Sequence, residues 1–183
     1  MTGDSRPAVP EPVVPESAVP EPAAPGAAAP EPAVPEPAVL PGRSMAVCAV
    51  IGAAVMAAVD EIVFHQVLGW HHFFDRSTPA VGLLSDGLLH TAELLGLVLG
   101  FVLYADLRRR HALAPAHARA GLLLGLGGFQ LFDGIVDHKL LRLHQIRYGV
   151  DLLIYDLVWN GAALVLLAVG AVLAVRARRR ARS

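Results

Sequence analysis

The residues best suited to chemistry in this chain are Asp60, His65 and His71 in one stretch, and Asp133, His138 and His144 in another. Carboxylates and imidazoles together are ligands for zinc, copper, iron and manganese, and they also serve as titratable steps in proton relays. The two stretches share the pattern Asp-x-Ile-Val-x-His-x-x-Leu-x-x-His at a single offset, and Gly52 falls on Gly125 at that same offset. A match of this length, with its polar letters in register, predicts an internal duplication.

These residues lie in an apolar chain. The sequence is 55% hydrophobic, and its apolar content is concentrated in four stretches at about 44–70, 80–105, 120–141 and 149–175. Each is near the ~20 residues that cross a ~30 Å hydrocarbon core. The predicted fold is all-α: an integral membrane four-helix bundle over residues 43–183, built from two duplicated helix hairpins. A soluble bundle with apolar helices fits less well, because Leu157–Val175 carries no charge and only Asn160 is strongly polar. Residues 1–42 repeat a short unit containing Pro10-Glu11, Pro15-Glu16, Pro20-Glu21, Pro30-Glu31 and Pro35-Glu36. Recurring proline removes backbone donors and disfavours helix before it, so this segment reads as a disordered spacer tail.

Charge orients the spans. Arg6, Arg43, Arg108, Arg109, Arg110, Arg119 and the run from Arg176 to Arg182 lie on one side of the four stretches. Arg76, Lys139, Arg142 and Arg147 lie on the other. The positive-inside rule places both termini and the middle loop in the cytoplasm. The C-terminal arginines directly abut a span, which reads as a lipid anchor and not as a nucleic-acid site. The lipid bilayer is the partner this composition implies, and a homo-oligomer or a membrane-complex partner is compatible with it. Cys48 is the only cysteine, so no intrachain disulfide forms.

Within that frame the polar half of every span faces away from the arginines. It holds Asp60, Glu61, His65, Asp86, His90, Glu93, Asp133, Asp137, His138, Asp151, Tyr155 and Asp156, with His71, His72 and His144 at its rim. His111 and His117, on the opposite side, read as solvated. The same-face pairs at i, i+4 are Glu61/His65, Asp86/His90, Asp133/Asp137 and Asp151/Tyr155. Ionisable groups at membrane depth cost several kcal/mol unless paired, hydrated or metal-bound, so a cluster this large predicts a functional site. One geometric conflict stands out. In an ideal helix His65 is rotated about 140° from Asp60, so both face a common centre only if the helix is distorted. The second pair of spans repeats the first, with Asp86-Gly87-Leu88-Leu89 set against Asp151-Leu152-Leu153-Ile154. Gly96-x-x-x-Gly100 and Gly121-x-x-x-Gly125 are small-residue stripes that would let spans two and three approach closely.

Val59 through His72, Ser85-Asp86-Gly87 to His90, and Phe132 through His144 resemble an uncharacterised family of four-span bacterial membrane proteins, the domain of unknown function 2243. The resemblance covers about Arg43 to Arg176. It implies a bacterial inner-membrane location and supplies no activity.

Three functions compete for the cluster. A transition-metal site (zinc, copper, iron or manganese) would take His65, Asp86, His90 and His138 as candidate ligands. Asp60 and Asp133 would orient them, Glu61, Glu93, Asp137, Asp151, Tyr155 and Asp156 stand as alternatives, and His71, His72 and His144 would rim the mouth. A haem b protein would use His65 and His138 on opposite sides of one macrocycle. Proton or cation translocation would use the Asp/His array as a relay. The remaining reading is a structural membrane subunit held by polar networks.

Overall fold

The computed structural model describes residues 38–181, and the proline-rich tail lies outside them except for its last few residues. Two helical spans begin the described residues. The first is α1 (Pro41–Asp60), which runs without a break into a π-helical segment, π1 (Glu61–Val67). The second is α2 (Pro79–Arg109). The other two are α3 (Pro115–Phe132), continued by π2 (Asp133–Leu140), and α4 (Leu152–Arg180). All four spans are long and apolar enough to cross a membrane. Pro41, Pro79 and Pro115 occupy first-turn positions, where the missing N–H costs nothing. Thr78 and Asp151 cap α2 and α4 by accepting from Val81 N and Leu153 N. Arginines close the last turns of α2 and α4, where cations favour the helix dipole.

α1 packs against α2 and α3, and α3 packs against α4. No other pair of these helices packs among the described residues, so the order across the molecule is α2, α1, α3, α4. Glycines set the central contact. A Cβ at Gly121, Gly125 or Gly52 would run into the carbonyl oxygens of Met45, Ala49 and Leu122 respectively. Gly96 and Gly100 also face α1, against Ala54 and Ile51. The small-residue stripes therefore bring α1 close to both neighbours. The sequence reading joined spans two and three through them, and α2 and α3 do not pack.

Polarity is inverted relative to a water-soluble fold. Large apolar side chains are exposed along α2 and α4, among them Leu83, Leu88, Leu95, Ile154 and Val158, while the interior is rich in Asp, Glu and His. Lipid satisfies the first and packing the second. The two ends of the layer differ in kind. At the arginine-bearing end, Ser44 Oγ donates to Leu40 O and accepts from Ala114 N, which pins the start of α1 to the α2–α3 loop. His117 is buried at this end, against the expectation that it is solvated, whereas His111 is exposed. π1, π2 and the loops that follow them occupy the opposite end.

Candidate metal centre

The rotational conflict between Asp60 and His65 is resolved by the backbone. In a π-helix the i→i+5 hydrogen bond adds one residue to the turn and carries positions five apart onto one face. Leu68 N bonds Val63 O at 2.9 Å, and Leu141 N bonds Val136 O at 2.7 Å, so both halves contain the same wide turn. Each then ends in a left-handed residue, Gly69 at φ 57° and Arg142 at φ 52°. His65 Nε2 consequently lies 3.5 Å from Asp60 Oδ2, and His138 Nε2 lies 3.3 Å from Asp133 Oδ2. All four residues are at most 3% exposed.

The loops after π1 and π2 complete the cluster by exchanging hydrogen bonds. His71 Nδ1 donates to Ile146 O at 2.9 Å, and His144 Nδ1 donates to Phe73 O at 2.9 Å. The two imidazoles stack with centroids 4.5 Å apart and planes 9° from parallel. Their Nδ1 protons are thus committed to carbonyls, which leaves Nε2 as the lone-pair nitrogen on each ring. His144 Nε2 lies 2.9 Å from His138 Nε2 and 3.5 Å from Asp133 Oδ1. His71 lies outside the spans. Burial, together with His144, His65 and His138 nearby, lowers its pKa to about 2 and keeps the ring neutral.

Two donor triads converge here, His65/His71/His144 and Asp133/His138/His144, each with one ligand atom per residue within 4.8 Å of the others. A third, Glu61/His65/Asp86, lies on the other edge of the His65 ring. There His65 Nδ1 is 2.8 Å from Glu61 Oε2 and 3.1 Å from Asp86 Oδ1. Asp86 also accepts from Phe73 N at 2.7 Å and from His72 Nδ1 at 2.6 Å, so it fastens the loop to α2. Among the described residues several buried atoms in the cluster have no hydrogen-bond partner, namely His65 Nε2, His71 Nε2, Asp133 Oδ2 and His138 Nδ1, while Glu61 Oε2 shares the His65 Nδ1 proton with Asp86. Each such atom costs about 1–3 kcal/mol of unrecovered desolvation.

The remaining sequence candidates stand apart or do other work. His90, half exposed, pairs with Glu93 at 2.6 Å and not with Asp86. Asp137 is buried on π2. Asp151 is exposed and caps α4, so it does not take the place that Asp86 has in the first half. Tyr155 accepts from Arg147 at 2.7 Å, and Asp156 pairs with Lys139 at 2.6 Å. Sequence reasoning missed Gln66, whose amide donates to Glu61 Oε1 at 2.8 Å, and the carbonyls of Phe73 and Ile146. Gln66 adjoins His65 in the motif and was open to inspection. The carbonyls carry no side-chain signal.

Residues 47–177 match a family described as "Predicted membrane protein (DUF2243)". The chain belongs to that family. No curated protein and no solved structure matches it.

Proposed function

We propose that this DUF2243 membrane protein holds a transition-metal ion among His65, His71, His138 and His144, with Asp60 and Asp133 as ligands or orienting partners. One observation carries this reading. His71 and His144 have their Nδ1 protons tied to backbone carbonyls, while unpartnered or mutually facing Nε2 atoms crowd a buried space. A hydrogen-bonded Nδ1–H and an inward Nε2 is the arrangement that fixes an imidazole for ligation. Four imidazoles with two carboxylates suit zinc, copper, iron or manganese.

The alternatives gain less support. A macrocycle between His65 and His138 would have to displace His71 and His144, whose rings lie 4.3 Å from His65 and 4.6 Å from His138 respectively. Cation translocation gains no polar route in the other half: the α1–α3 seam is closed by three glycine contacts, and the 420 Å³ cavity beside it is lined mainly by apolar side chains such as Ile51, Val55, Phe101, Leu122 and Leu126. The polar end is therefore served from one side. By the positive-inside rule that side is the exterior and both termini are cytoplasmic, and the family resemblance implies a bacterial inner membrane.

Elemental analysis and the visible spectrum of detergent-purified protein, alongside His138→Ala/His144→Ala, test the reading. The expected result is a stoichiometric transition metal in the native chain and none in the folded double variant. A Soret band lost in that variant would replace the ion with haem. Metal-free native protein after loading would end the metal reading.

A further inference from the structure

The two edges of the His65 ring face different donor sets. Nδ1 faces Glu61 and Asp86, at 2.8 Å and 3.1 Å. Nε2, on the opposite edge, is buried without a hydrogen-bond partner, and a ring nitrogen of His65 lies within 4.8 Å of ligand atoms on His71 and His144. We propose that His65 is a bridging imidazolate joining two divalent transition-metal ions, an inner one at the His71/His138/His144 cluster and an outer one held by Glu61, Asp86 and His65 Nδ1.

Three further features support an outer ion. Glu61 is 1% exposed, and its Oε2 shares the single His65 Nδ1 proton with Asp86, so two buried carboxylates face one donor on that edge. A cation there answers a desolvation cost that hydrogen bonds leave open. A cavity of 270 Å³ lined by Glu61, Gln66, Leu83, Asp86, Gly87 and His90 opens beside this triad and gives the ion a way in. His90 projects well down α2 with its side chain 52% exposed, a position that suits a hydrated cavity and not hydrocarbon.

The second half builds no such site, which limits the count to two ions. At the offset that superposes the motifs, Gly134 replaces Glu61 and Trp159 replaces Asp86. A Cβ at Gly134 would meet the side chains of Asn160 and Trp159, so the space is filled. Among the described residues the one carboxylate paired with the His138 ring is Asp133, and that lies on the Nε2 edge. When the outer ion binds, the proton on His65 Nδ1 leaves to water through the cavity, and the imidazolate lone pairs bind one ion on each edge. The inference rests on the metal reading above, since it needs the inner ion.

Copper(II) is the probe, because two copper ions across one imidazolate couple their spins and lose paramagnetic resonance intensity. The native protein, loaded and desalted, is expected to hold two coppers per chain with integrated intensity far below two spins. Glu61→Gln, which leaves Asp86 bonded to Phe73 N and His72, is expected to hold one copper with the full intensity of one spin. Two coppers at full two-spin intensity would overturn the bridge. A single copper, lost in His138→Ala/His144→Ala and unchanged in Glu61→Gln, would overturn the outer site while the inner reading survives. No bound copper in the native chain would remove both.

Discussion

His71 and His144 stack at 4.5 Å, and each is anchored across the molecule by the other half's loop, through Ile146 O and Phe73 O. Ile146 and Phe73 are themselves related by the offset that relates the two histidines. The exchange is therefore reciprocal, and neither loop can place its histidine alone. The anchoring makes the imidazoles stiff before any ligand arrives, which lowers the ordering cost of binding.

Carboxylates beside the imidazoles should tune the affinity of the centre. Asp60 and Asp133 lie 3.5 Å and 3.3 Å from His65 and His138 Nε2. Asp133→Asn is expected to weaken metal binding by about 10–100-fold, the usual effect of losing a carboxylate that supports ligated histidine. Chelator competition reads this directly. Unchanged affinity in both Asp60→Asn and Asp133→Asn would make these residues packing groups only.

The wide turns should be indispensable to the site and dispensable to the helix. Removing one residue from a π-segment restores α-helical registration and swings everything beyond it by about 100°. Ile135 is 48% exposed, so its deletion opens no core cavity. The deletion variant is expected to keep its helical circular dichroism and lose the metal. Retained metal would mean that the loop, and not the turn, aims His138.

Which parts could be read from the letters follows from these turns. Asp60, His65 and His71 recur as Asp133, His138 and His144 in the letters, and the structure brings His65, His71, Asp133, His138 and His144 into touching donor groups with Asp60 beside His65. The π-turn that unites them has no letter of its own. Its trace was the misfit of about 140° between Asp60 and His65 in an ideal helix. The match of Asp86 to Asp151 misled for a different reason, since beyond the aspartate it rests on aliphatic letters alone, and Asp86 is buried within α2 whereas Asp151 is exposed and caps α4. The capping residues Thr78 and Asp151 stand at the same offset as the histidine motifs, and that offset sets Trp159 against Asp86. Helix pairing was illegible because a glycine stripe fits any close neighbour, and only the fold selects α1.

That selection has a stability consequence. Gly125→Ala puts a methyl against Ala49 backbone, which cannot yield without separating α1 from α3. Overpacking of this kind costs about 1–3 kcal/mol. Gly128→Ala, where a Cβ meets nothing within 4 Å, should instead gain up to about 1 kcal/mol from helix propensity. Thermal unfolding in detergent should therefore move in opposite directions for the two variants. The same sign for both would deny that the glycines of this seam are set by contact.

Arg142 offers the sharpest test of the correspondence between the halves. It is exposed, closes π2 and holds φ 52°, the conformation Gly69 holds at φ 57° after π1. An L-residue with a Cβ is strained there by roughly 1–2 kcal/mol, whereas glycine is not. Arg142→Gly should then stabilise the protein by about 1 kcal/mol, and Gly69→Ala should destabilise it by a similar amount. The gain is reduced by glycine's greater freedom in the unfolded chain, so a result near 0.5 kcal/mol still agrees in sign. A clear loss of stability in Arg142→Gly would show that the guanidinium holds the loop through contacts worth more than the backbone strain, and that the two turns are alike in shape only.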